Sequence, residues 1–85
     1  MSDWIDELAS AFAVEPLTPG ETTRLLKVAR EVAHRVERKG TPLAAFLLGV
    51  DVASRITAGA AREQALEAAI ATVERLLPPA PPEAP

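Results

Sequence analysis

Proline falls only at the edges of the apolar-periodic stretches of this 85-residue chain. Pro16, Pro19 and Pro42 separate those stretches, and the other five prolines follow Leu77. Proline has no amide hydrogen and disrupts the interior of helices and central strands, so its placement marks out the elements. Between the prolines, apolar residues recur at three- and four-residue steps. No stretch alternates strictly, as a half-buried strand does. The pattern predicts an all-α chain of four helices followed by a proline-rich tail.

The spacing predicts a first helix over about Asp3–Ala13, capped by Ser2 or Asp3. Trp4, Leu8 and Phe12 share one of its faces, and Asp3, Asp6 and Glu7 suit the positive end of the helix dipole. Two of the chain's three aromatic residues lie here, so this helix is expected to act as a lid on an aliphatic core. The second helix, about Pro19–Arg38, opens on Thr18-Pro19-Gly20-Glu21, a capping box with proline in the first helical position. Its stripe is Leu25, Val28, Ala29, Val32 and Val36, and Gly40 is placed to end it.

The third helix starts at Thr41, as cap, and Pro42. Leu43, Phe46, Leu47, Val50 and Ala53 lie on one side, and Leu48, Val52 and Ile56 on the other. Asp51 and Arg55, spaced for an i,i+4 ion pair, are the only interruption. A helix apolar nearly all round is central in its domain or shared with a partner. The centre is the expectation, with Leu48, Val52 and Ile56 as the face of a homodimer in the other case. Gly49 is expected to mark a close helix crossing. The fourth helix, about Ala60–Leu77, buries Leu66, Ala69, Ile70, Val73, Leu76 and Leu77. The expected architecture is one four-helix, bundle-like domain over residues 1–77, with the third helix most central. Residues 78–85, five of them proline, form a disordered tail.

Composition removes several classes of function. There is no cysteine, hence no disulfide, thiolate nucleophile or cysteine metal site. The net charge of -3 argues against nucleic-acid binding driven by charge. The longest apolar run, Leu43–Val50, falls far short of the roughly 20 residues of a membrane span. The acidic start lacks the pattern of a secretory signal, so a cytoplasmic protein is expected.

Charge is nonetheless unevenly placed. Residues 21–40 hold six Lys and Arg against three Glu, whereas residues 1–20 carry four acids and no base. Arg30, His34 and Arg38 stand at i, i+4 and i+8 on the second helix, with Lys27 beside them. Such a row can dock an anion or an acidic protein face, because the guanidinium fork pairs with phosphate or carboxylate. It can equally be a solvated face with Glu31 and Glu37 as local partners. His34 is the only histidine and has no nucleophile in sequence context. Glu31-x-x-His34 is half of a di-iron bundle motif, present once and on the polar side. The Pro-x-x-Pro spacings of the tail match polyproline ligands only as any proline-rich end does. No catalytic residue, metal or cofactor is expected.

The stretch from Ala29 to Arg38, with Ala29-Arg30, Ala33-His34 and Glu37-Arg38, is followed by Pro42-Leu43, Phe46-Leu47 and Gly49. Together with Trp4, this resembles a small bacterial domain family of unknown function. That family occurs alone or fused to a nucleotidyltransferase of the molybdenum-cofactor guanylyltransferase type. The resemblance covers most of residues 3–77. Beyond Gly49 the bulkier Asp51–Ile56 departs from the small residues usual there. It implies a non-catalytic accessory domain associated with molybdenum-cofactor biosynthesis, with such a nucleotidyltransferase as partner. The alternative is a small protein that binds an anionic pterin or nucleotide at Arg30, His34 and Arg38.

Overall fold

The computed structural model describes residues 3–80, and of Asp3 the backbone alone. Four helices follow in order: α1 (Asp3–Ala11), α2 (Pro19–Arg35), α3 (Gly40–Thr57) and α4 (Arg62–Leu76). No strand occurs among the described residues. Ser2, offered as a cap for α1, and residues 81–85 of the tail lie outside them. Pro78–Ala80 carry no helix.

The start of α2 follows from four residues. Thr18 is extended, its hydroxyl accepts from the Glu21 amide at 3.0 Å, and the Glu21 carboxylate accepts from the Thr18 amide at 2.9 Å. The capping box thereby satisfies two amides that the helix itself leaves without partners.

The other boundaries differ from those read in the sequence. α2 ends at Arg35, and the Val36 amide donates to the Val32 carbonyl as the chain turns. Gly40 does not terminate α2 but opens α3. Thr41 is not a cap. Lys39 precedes α3 without any side-chain cap, and the Thr41 hydroxyl is buried without a partner. Pro42 is tolerated because it lies in the first turn, where an amide hydrogen has no helical acceptor. α3 closes at Gly59, whose φ of 111° only glycine adopts readily.

α2, α3 and α4 form the packed body, and α1 does not pack helix-to-helix against any of them. Arg24 reaches Glu67 and Arg35 reaches the Pro78 carbonyl, each across 43 positions, so α2 and α4 run parallel in constant register. α3 returns antiparallel between them: Gly40 and Ala44 at its start share a groove with Val36, just beyond α2, and Leu76 of α4.

The core is Val28, Leu48, Leu66, Ala69 and Ile70, with Leu25, Val52 and Val73 packed on it. α4, with Ala65, Leu66, Ala69 and Ile70 all buried, is the most enclosed helix, whereas α3 buries only Leu48. α3 is nonetheless the middle helix, packed against both α2 and α4 as expected. The facing of α3 differs from the expectation. Of Leu48, Val52 and Ile56, offered as a dimer face, Leu48 and Val52 point into the body and Ile56 is exposed, while Leu43, Phe46, Leu47 and Val50 point out. Periodicity marks both stripes of α3 but does not say which is buried. Leu48 packs beside Val28, Ala69 and Ile70.

The lid is not realised either. Trp4 and Phe12 are 61% and 68% exposed. Ile5 and Asp6 only border the start of α2, across a hollow lined by Leu17, Pro19 and Thr22. Nor does a helix cross at Gly49, where an added Cβ would meet no atom within 4 Å.

Candidate functional site

Two surfaces stand out: the basic residues of α2 and the outer face of α3. Lys27, Arg30 and His34 are exposed on α2. Arg38 lies in the turn beyond the end of α2, so the helical row stops at His34. No ion pair among the described residues involves any of the four. None of them lines any of the five principal concavities of the fold.

The neighbouring cations of α2 are engaged instead. Arg24 donates from Nε and Nη2 to the two oxygens of Glu67, both at 2.9 Å, with Glu74 at 3.8 Å. That two-pronged bond holds the Glu67 carboxyl below the ordinary carboxylate range and raises the Arg24 guanidinium correspondingly. Arg35 pairs with Glu31 at 3.9 Å and donates to the Pro78 carbonyl at 2.8 Å. Asp51 and Arg55 form the expected pair on α3, at 2.7 Å. The pairs between helices were not legible from short-range spacing, since no local periodicity connects residues more than 40 positions apart.

The outer face of α3 is the larger anomaly. Leu43, Phe46 and Leu47 are 67%, 71% and 67% exposed, and Val50 is also exposed. Their i, i+3, i+4 and i+7 spacing makes one continuous stripe. Contiguous apolar surface of this kind on a small protein marks an interaction site more often than chance exposure. Beside it runs a groove of about 440 Å3, lined by Val36, Ala44, Leu47, Val73, Leu76 and Leu77 among others. The sequence carried the signal for this surface, because α3 is apolar on two sides, but it did not say which side stays open. Among the described residues, no three His, Asp or Glu side chains gather as a metal site. No helix among the described residues is long and apolar enough to cross a membrane.

The family model for the domain of unknown function DUF6457 matches residues 1–84. The chain belongs to the DUF6457 family. No curated protein and no solved structure matches it. The motif residues that carried the resemblance, Arg30 and His34 on α2 and Phe46 and Leu47 on α3, are thus surface residues of a DUF6457 domain.

Proposed function

We propose that the chain is a non-catalytic interaction module that docks a protein on the outer face of α3. The observation that carries this reading is the continuous exposure of Leu43, Phe46, Leu47 and Val50. Exposed leucine and phenylalanine do not stabilise the monomer and are costly to keep in water, so their placement on one face calls for a partner. By the sequence resemblance, that partner is a nucleotidyltransferase of the molybdenum-cofactor guanylyltransferase type, and the chain acts beside it in the cytoplasm.

The alternative, an anionic pterin or nucleotide at Arg30, His34 and Arg38, has less support. Small-molecule sites are concave, and these side chains line none of the concavities described above, with Arg38 off the helical row. Calorimetric titration of the chain into a guanylyltransferase tests the proposal. Binding is expected for the wild type and lost in Phe46→Glu. Absence of binding by the wild type would overturn the partner assignment, and equal binding by Phe46→Glu would overturn the surface.

A further inference from the structure

With the outer face of α3 read as a docking surface, as above, the chain itself carries an occupant for it. We propose that two copies form a symmetric pair in which α1 of each lies across the outer face of α3 of the other.

α1 is the other unpartnered apolar element. Trp4 and Phe12 are exposed, and no helix packs on it. From Trp4 to Phe12 is about 12 Å along the helix axis and from Leu43 to Val50 about 10 Å, so the two stripes match in length. Their charges match as well. Asp6 and Glu7 are exposed in the first half of α1, and Arg38 and Lys39 are exposed immediately before α3. A parallel arrangement brings Trp4 to Leu43 and puts the acidic end of α1 at the end of α3 that follows those cations, about 10 Å from them along the axis. α3 itself contributes only Asp51 and Arg55, which satisfy one another.

The connection to α2 explains why α1 does not simply cover its own α3. Arg62 donates to the Glu15 carbonyl at 3.0 Å and to the Pro16 carbonyl at 3.5 Å, which clamps the linker to the start of α4. Upstream, Ala13 adopts a left-handed conformation (φ 57°), and the Val14 amide donates to the Ala9 carbonyl at 3.0 Å. These contacts fix the direction in which α1 leaves the body. The resulting molecule is long, 47 × 30 × 20 Å. Its radius of gyration is 14.0 Å, against about 12 Å for a compact chain of this length.

The surface balance agrees. The chain exposes 6493 Å2, whereas a compact monomer of its mass exposes about 4,900 Å2. That excess is larger than one partner's share of a standard interface, about 800 Å2. A two-fold pair makes the α1–α3 contact twice, which closes the assembly at two copies. A guanylyltransferase that takes the same face must displace α1.

Equilibrium sedimentation of the full chain tests the pair. The wild type is expected at twice the 9.0 kDa of one chain. Phe46→Glu, which spoils the acceptor, and the double change Trp4→Ala with Phe12→Ala, which spoils the donor, are each expected to halve the mass with helical circular dichroism intact. None of these residues is in the core. Should Phe46→Glu lose helicity, Leu43→Lys replaces it. An equimolar mixture of acceptor and donor variants regains one good contact, and the dimer mass is expected to return. A wild type that stays monomeric at high micromolar concentration overturns the pair. So does a dimer that survives the donor change, which would mean that α3 meets α3. If the wild type is monomeric while Phe46→Glu still abolishes guanylyltransferase binding, the docking face stands and the self-pairing alone fails.

Discussion

Arg62 and Glu21 join the first turns of α4 and α2 through a two-pronged pair, with bonds of 2.9 and 3.0 Å across 41 positions of chain. The same Glu21 carboxylate accepts the Thr18 amide. One side chain thus completes a helix cap and ties that cap to a neighbouring helix. Charge-assisted bonds of this kind contribute more than neutral ones.

Arg62→Met should therefore destabilise the fold by about 1–2 kcal/mol, since it removes the Glu21 pair and the donors to the Glu15 and Pro16 carbonyls. The shift of the urea midpoint measures it. An unchanged midpoint would show that water replaces Arg62 without loss.

Thr18→Ala should cost about 1 kcal/mol through the lost cap. Because Thr18 and Arg62 both act on Glu21, the double variant should lose less than the two single losses combined. Strict additivity in the denaturation cycle would separate the cap from the bridge.

Gly49→Ala should stabilise the chain by up to about 1 kcal/mol, since alanine is the better helix former and the added methyl meets open space. In a chain this small that raises Tm by about 4–8 °C. A fall in Tm would mean that Gly49, at the edge of the outer stripe of α3, is itself closely covered in solution.

Thr41→Val keeps the shape of the side chain and removes a buried hydroxyl that has no partner. The expected change is neutral to about 1 kcal/mol stabilising. A loss of stability in the same urea titration would reveal a hydrogen bond to the Thr41 hydroxyl.

The acid limb of stability should depend on Glu67. Its carboxyl is held low by the hydrogen bonds from Arg24. A group lowered on folding stabilises the native state above its unfolded value, and that contribution is lost as pH falls through the folded value. The wild type should thus lose more stability on acidification than Glu67→Gln. Superimposable pH profiles would show that the pair is balanced by its hydration.

The legible parts of this fold are those set within one turn of helix. Thr18-Pro19-Gly20-Glu21 carries its own capping geometry, Asp51 and Arg55 meet at i,i+4, and Leu66, Ala69 and Ile70 mark the inner face of α4. What stayed illegible depends on neighbours. Both stripes of α3 are apolar, and it is the packing of the other helices that puts Leu48 against Val28 and Ile70 and leaves Phe46 outside. Likewise, amphipathic spacing in α1 shows that Trp4 and Phe12 need a cover without showing that their own chain does not provide it. For the candidate site, Lys27, Arg30, His34 and Arg38 were readable as a basic cluster, but the end of α2 at Arg35 took Arg38 out of the row.

Trp4 is the only tryptophan, the chain has no tyrosine, and α1 stands apart from the packed body. In the separated monomer, intrinsic fluorescence consequently reports the surroundings of α1 and is nearly blind to the melting of α2, α3 and α4, whereas in the pair it also reports the α1–α3 contact. Far-ultraviolet circular dichroism is weighted the opposite way. Two transitions that fail to coincide would ordinarily be taken as a folding intermediate. In this chain the same disagreement arises from where the single indole sits.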